Sequence, residues 1–274
     1  MASVNRRVLP GFSLTLGYTV FYLSILVLIP IAACFLKAGS LSWPEFWGTV
    51  WTERARSAYF VTFGTAFVAA VVNLILGLLL AWVLVRYTFP GRRLVDSLVD
   101  LPLALPTAVG GLVYSALYVE KGWLGQYLVP LGIHGAYTRF AIVLVLVFVG
   151  LPFVVRTVQP ILEDLDPEYE EAGASLGGTR WQTFRNIIFP TLKPALITGF
   201  ALAFARGVGE YGSVVFVSGN MPYKTEIAPI LIVARLEEFA YGEATAIAVV
   251  LLVISFVMLV LINLLERWTL RHEH

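Results

Sequence analysis

Six stretches of this chain are long and apolar enough to cross a lipid bilayer as helices. A helix needs about 20 mostly apolar residues to cover ~30 Å of hydrocarbon. The stretches span approximately residues 12–36, 58–85, 98–119, 139–163, 192–217 and 243–266. The sequence therefore predicts an all-α fold, a polytopic membrane helix bundle with about six transmembrane helices.

The composition agrees with a membrane protein. Hydrophobic residues make up 58% of the 274 residues and charged residues 14%, whereas soluble domains carry about 25% charged residues. The first stretch exceeds the apolar core of a signal peptide, so we expect a retained helix. The third stretch is the weakest, because Pro102 and Pro106 near its start each remove an intrahelical hydrogen bond.

The distribution of basic residues predicts the orientation. We expect one transmembrane domain over residues 12–266, between an N-terminal tail, 1–11, and a C-terminal tail, 267–274. Lys and Arg are more numerous in the two tails and in the connections after the second and fourth stretches than in the other connections. The positive-inside rule then places both tails in the cytoplasm.

The lipid bilayer is the expected surrounding, and the formal charge of +1 gives no indication of a nucleic-acid partner.

The connection at about residues 164–191 is long enough to hold structure of its own. Asp166 is a suitable N-cap and Pro167 a suitable first residue for a short helix, which is followed by several glutamates. Gly177 and Gly178 would end that helix. The sequence therefore predicts a first short helix and then a turn.

A second short helix should follow the turn. Thr179 and Gln182 have the spacing of a capping box, and Pro190 and Pro194 are expected to mark the end of this helix and the start of the fifth span. An amphipathic pair of this kind can lie on a bilayer surface. The acidic first helix suits an anionic membrane surface poorly, so a protein partner is the favoured interpretation.

The same connection carries a recognisable motif. Glu-Ala-Gly at 171–173, Gly177, and Ile-x-Phe-Pro at 187–190 match the spacing Glu-Ala-Ala, three residues, Gly, nine residues, Ile-x-Leu-Pro. This pattern resembles the EAA loop of bacterial ABC-importer permeases, with departures at Gly173 and Phe189. In that family the loop forms a coupling helix that docks on an ATPase subunit. The resemblance implies this role for a coupling loop, 164–191, and within it for Glu171, Ala172, Gly173, Gly177, Ile187 and Pro190.

The resemblance covers nearly the whole chain. The segments RRVLPGFSLTLG, RYTFPGRRLVDSLVDLPLALPTAVGGL, PFVVRTVQPILEDLDPEYEEA and GEYGSVVFVSGNMPYKTEIAPILIVARLEEFAYGEATAIA are similar to T-type permease subunits of sulfate/thiosulfate importers. The family implies a bacterial inner-membrane protein that forms half of the translocation path. It also implies a second homologous permease subunit, two cytoplasmic ATPase subunits that use ATP, and a periplasmic or surface-anchored sulfate-binding protein. Molybdate and tungstate remain alternative substrates, because related permeases share the proline-rich third span.

Motifs for other chemistry are missing from the sequence. A Walker A loop requires Gly-Lys, which occurs nowhere in the chain, so we expect no ATPase activity and no bound cofactor. No His-Glu-x-x-His zinc helix is present, which argues against an intramembrane metalloenzyme. Cys34 is the single cysteine, and His272 and His274 belong to the tail, so no metal site is predicted. A secondary anion transporter is a further alternative, but the sequence shows no convincing internal repeat.

The fifth stretch contains AFARGVGEYGSVV, in which three glycines spell the expression of a dinucleotide-binding turn. That turn needs a preceding strand and a βαβ unit, whereas this stretch is predicted as a membrane helix. Small residues instead recur at every fourth position and predict close helix packing. The two rows are Ala201, Ala205, Gly209 and Ser213, and Gly199, Ala203 and Gly207.

Arg206 and Glu210 are the two charges in this stretch. On a continuous helix they would share a face, four residues apart, next to the row that contains Ala205 and Gly209. A charge that faced lipid would be costly, so we expect both to face protein or a water-filled path. Two hypotheses remain open: the pair holds the bundle together, or Arg206 lines the translocation path and Glu210 moderates its hold on an anion.

Overall fold

The structure, a computed structural model, describes residues 12–166 and 168–271. The predicted N-terminal tail, Pro167, His272 and His274 lie outside the described residues. Every helix and turn discussed below belongs to the described part of the chain.

Helices form the framework of the described chain. In order they are α1 Phe12–Leu23, α2 Ile29–Ala38, α3 Trp43–Val50, α4 Glu53–Arg86, α5 Arg92–Val99, α6 Leu101–Ala104, α7 Thr107–Tyr118, α8 Gly125–Leu128, α9 Arg139–Asp164, α10 Glu168–Ser175, α11 Arg180–Thr183, α12 Phe189–Val208, α13 Val214–Val217, α14 Ala228–Glu237 and α15 Tyr241–Arg271. Two π-helical segments, Ser24–Leu28 and Phe184–Ile188, join α1 to α2 and α11 to α12, and a 3₁₀ segment, Val129–Leu131, follows α8.

Five helices in the described residues are long and apolar enough to cross a membrane. They are Leu14–Ala38, Glu53–Arg86, Arg139–Asp164, Arg180–Val208 and Tyr241–Leu264. They coincide with five of the six predicted spans, which confirms a helical bundle of the predicted class.

The third predicted span, 98–119, is not one helix. It is divided into the end of α5, the single turn of α6, and α7, which has 12 residues. Leu105 between α6 and α7 is extended, with ψ 137°, because a residue before proline is forced away from the helical region. Pro106 therefore interrupts the helix, and α7 is a short membrane segment that depends on its neighbours.

The core of the bundle lies between α4, α9 and α12. Small residues of α12 allow this close packing: a Cβ atom at Gly199 would lie 2.5 Å from Thr157 Oγ1 of α9, and one at Gly207 would lie 3.2 Å from Ala66 Cβ of α4. Ala203 between them is buried. The predicted row of Gly199, Ala203 and Gly207 thus packs inside the bundle, where small residues let helices approach.

The second helix of the coupling loop does not end at Pro190 or Pro194, and this prediction was wrong. The chain is helical without interruption from Arg180 to Val208. The π-helical segment Phe184–Ile188 shifts the hydrogen bonding immediately before Pro190, and Phe189 N–H donates to Phe184 C=O. Because the bonding pattern changes there, the missing N–H of Pro190 falls at the start of the next helical segment, where proline is tolerated.

The fifth span ends earlier than its prediction of 192–217. Helix α12 ends at Val208, Gly209 is its C-cap, and a separate turn of helix, α13, begins at Val214. Gly209 is exposed and Ser213 follows the break. The predicted row of Ala201, Ala205, Gly209 and Ser213 therefore does not exist as one helical face.

Candidate functional site

The coupling loop begins with a capped acidic helix. Asp166 Oδ1 accepts a hydrogen bond of 2.9 Å from the Glu168 N–H, as expected for an N-cap. Glu168, Glu170 and Glu171 lie in the first turn of α10, and no residue of α10 is buried. A helix of eight residues that buries nothing gains little from its own packing. Its surface is therefore available to another protein.

Gly177 forms the turn between the two halves of the loop. Its φ is +79°, and the Gly178 and Gly177 N–H groups donate to the carbonyls of Gly173 and Ala174 at 3.0 and 2.9 Å. These two bonds are those of a Schellman motif, in which a left-handed residue ends a helix. The predicted turn is present, and it requires glycine for its backbone conformation.

Gly173 explains one departure from the EAA pattern. A Cβ atom at this position would lie 3.0 Å from Thr183 Oγ1 and 3.3 Å from Ile187 Cδ1. The glycine thus lets α10 lie close to the helix that follows the turn. Ile187 is half-buried against it, while Glu171 and Ala172 are exposed. The motif residues accordingly divide into a packed set and an outward-facing set.

Leu176 is a residue of this loop that the motif does not include. Its side chain is 90% exposed, and Tyr169 and Trp181 of the same loop are also exposed. Three large apolar side chains left exposed on one short loop favour a contact site for another protein. In the sequence, the signal that could have identified this contact residue is a leucine placed between Ser175 and Gly177.

Arg206 and Glu210 form an ion pair across the break at the end of α12. Arg206 Nη1 lies 2.5 Å from Glu210 Oε2. The other carboxylate oxygen of Glu210 accepts hydrogen bonds from Ser213 N–H at 2.9 Å and Ser213 Oγ–H at 2.8 Å. The predicted pairing is present, but Glu210 lies in the turn after the helix rather than on its face, because Ser213 engages its carboxylate.

The two charges differ in their surroundings. The Glu210 side chain is 2% exposed and the Arg206 side chain 34% exposed. Both oxygens of the buried carboxylate are occupied, which a buried charge requires. Glu210 therefore acts as an anchor, and Arg206 is the charge of the pair that reaches open space.

The turn after Glu210 is packed against α7. A Cβ atom at Gly111 would lie 2.3 Å from Ser213 O, and one at Gly212 would lie 2.3 Å from Thr107 Oγ1. Helix α7 thus packs against the turn that follows Glu210, directly after the end of α12. Breaks of this kind within a membrane occur where the backbone is enclosed by protein or lines a cavity.

Comparison with known proteins places the chain in a family. Residues 73–271 match the family described as "Binding-protein-dependent transport system inner membrane component". The chain belongs to this family. As such it is the membrane permease component of an ABC importer and not the ATPase.

Relatives match this family member over almost its full length. It is 47% identical over 266 residues to "Sulfate transport system permease protein CysT" of Salmonella typhimurium. This match covers 97% of this chain and 96% of the relative. It is also 50% identical over 256 residues to the protein of the same name from Synechocystis sp.. That match covers 93% of this chain and 90% of the relative.

Solved structures share its fold at low sequence identity. A bacterial ABC transporter involved in the import of the acidic polysaccharide alginate matches with a TM-score of 0.77 at 18% identity, covering 93% of this chain and 94% of that one. The inward-facing MetNI methionine ABC transporter matches with a TM-score of 0.58 at 20% identity, covering 85% and 99%. These likenesses establish the ABC permease fold for this bundle.

Proposed function

We propose that this chain is the permease subunit of an ATP-driven importer of sulfate. The observation that carries the proposal is its identity of 47 to 50% with sulfate transport permeases over more than nine-tenths of its length. An arginine that is one-third exposed at the end of α12 suits transient contact with a dianion. Thiosulfate resembles sulfate in charge and shape and is the expected second substrate.

The coupling loop is the proposed docking site for the ATPase. Its first helix buries nothing, its outward side carries Glu171 and Ala172, and Leu176 is almost fully exposed. These features support a protein partner on this surface. Two ATPase subunits would then serve this chain and a second homologous permease, and both chain termini would lie in the cytoplasm with the loop.

A reconstituted complex tests the proposal. The chain, the second permease subunit and the ATPase are purified together, placed in liposomes, and supplied with the sulfate-binding protein on the opposite side. We expect radiolabelled sulfate to enter only with ATP, and unlabelled thiosulfate to compete. Competition by molybdate or tungstate alone would assign the chain to another oxyanion. Uptake by this chain alone under an ion gradient would instead indicate a secondary transporter.

In the translocation path, we propose that Arg206 presents its positive charge to the passing anion while Glu210 holds the guanidinium in place. The support is the difference in exposure between the two side chains and the double engagement of Glu210 by Arg206 and Ser213. A partly neutralised arginine would attract the anion without retaining it.

A further inference from the structure

The acidic helix of the coupling loop has an ionic contact with a transmembrane helix. Glu170 Oε1 lies 2.7 Å from Nη2 of Arg86, the last residue of α4. The side chain of Arg86 is mostly buried and that of Glu170 is half-buried. Neither of the two atoms makes an aligned hydrogen bond, so the contact is held by charge. Because α10 buries no residue of its own, this ion pair is an important attachment of α10 to the bundle.

The end of α4 also contacts the second half of the loop. The Arg86 guanidinium carbon lies 5.9 Å from the centre of the Trp82 ring, within the range of a cation–π contact. The Trp82 ring in turn packs edge-on against Phe184, with ring centres 5.7 Å apart. Phe184 begins the π-helical segment that follows α11. One arginine thus links both helices of the coupling loop to the same point on α4.

Helix α4 is well placed to carry a displacement from this point. It has 34 residues, so it is about 51 Å long. It packs against α9 and α12 in the core, where Ala66, Ala69 and Ala70 are buried. At its other end Arg54 is paired with Glu226. A shift of the coupling loop that moves Arg86 therefore acts on a helix that has buried residues from Ala55 to Leu84.

We propose that Arg86 is a positioning residue that couples the docked ATPase to the membrane bundle by fixing the coupling loop to α4. The two neighbouring glutamates then make different contacts. Glu170 faces the bundle and binds Arg86, whereas Glu171 faces outward. This inference rests on the proposed function, because it requires an ATPase on the coupling loop.

The test uses the complete complex in liposomes, with sulfate uptake and ATP hydrolysis measured on the same preparation. Arg86→Gln and Glu170→Gln each break the ion pair, and the ratio is taken per assembled complex because Glu170→Gln leaves a mostly buried guanidinium without its carboxylate. Sulfate transported per ATP hydrolysed should fall about threefold in each, the scale of one such pair. The charge exchange Arg86→Glu with Glu170→Arg should recover most of the lost ratio. Arg93→Gln, which removes an exposed arginine of α5, serves as the matched control and should keep the wild-type ratio.

Two outcomes would overturn the inference. One is a wild-type ratio in assembled Arg86→Gln complex. The other is a lowered ratio in both single variants with no recovery in the exchanged pair, which would mean that the two side chains do not act through each other. Failure of the proposed function is a separate result, because the wild-type complex would then show no ATP-dependent sulfate uptake.

Discussion

Arg54 and Glu226 form a two-pronged ion pair that fastens the beginning of α4 to the segment before α14. Arg54 Nε and Nη2 donate to the two carboxylate oxygens of Glu226 at 2.8 and 2.7 Å. Beside it, Thr62 Oγ1 accepts a hydrogen bond of 2.8 Å from the Ala228 N–H. The glutamate is buried and the arginine partly exposed. This end of α4 is therefore fixed by a charged contact with near-ideal geometry.

Removal of the arginine should destabilise the protein more than neutralisation of the glutamate. Arg54→Gln leaves the buried Glu226 carboxylate without its partner, and an uncompensated buried charge costs about 3–5 kcal/mol. Glu226→Gln leaves no buried charge, so we expect a smaller loss. The measurement is the thermal unfolding midpoint of the purified complex. Arg56→Gln on the exposed side of the same helix turn is the control, and an equal loss in all three variants would contradict the prediction.

Gly177→Val should distort the coupling loop while the spans remain intact. The residue has a φ of +79°, and a left-handed conformation costs an ordinary residue ~1–2 kcal/mol, more for a β-branched one. We expect normal membrane insertion, but reduced ATPase co-purification and sulfate uptake. Gly48→Val is the control, because Gly48 has open space around its Cβ position and lies in α3. If the Gly177→Val variant keeps wild-type ATPase association, the coupling loop is not the surface on which the ATPase docks.

Leu176 should contribute to ATPase binding without contributing to the fold. Its side chain is 90% exposed in this chain, and burial of a leucine is worth ~1.5–3 kcal/mol. Leu176→Ser should therefore weaken ATPase association about tenfold or more and leave the unfolding midpoint unchanged. Leu131→Ser, at another strongly exposed leucine outside the coupling loop, is the matched control. A lower unfolding midpoint in Leu176→Ser would show a structural role instead.

The apolar stretches predicted the framework of the bundle, because a spanning helix needs only length and hydrophobicity. They did not predict where two of those helices break. Valines after Glu210 continue the apolar pattern, whereas in the structure α12 ends at Val208 and Ser213 donates two hydrogen bonds to the Glu210 carboxylate. A local side-chain bond that competes with the helix leaves no trace in a hydropathy window.

The coupling loop was predictable for a different reason. Its cap at Asp166, its turn at Gly177 and its capping box at Thr179 are local features, formed by residues near one another in sequence. The attachment of this loop to Arg86 joins residues 84 positions apart. Such a pairing depends on how α4 packs in the bundle, which no local pattern contains.

Arg206 and Glu210 provide the last prediction. Arg206→Gln should lower the amount of assembled complex, because Glu210 is 2% exposed and would keep only its bonds from Ser213. Glu210→Gln should lower it less, because the freed Arg206 is already one-third exposed. The double variant contains no unpaired charge, so assembly should recover toward the wild-type amount.

The double variant separates the two roles of the pair. If the pair only holds the bundle together, recovery of assembly in Arg206→Gln/Glu210→Gln should restore sulfate uptake as well. If Arg206 attracts the anion along the path, the assembled double variant should transport at least tenfold less sulfate, since one desolvated charge–dianion contact is worth about 1.5–3 kcal/mol. Stimulation of ATP hydrolysis by the binding protein should persist, because Arg206 lies at the far end of α12 from the coupling loop. We expect this second result, and wild-type uptake per assembled double-variant complex would exclude the path role.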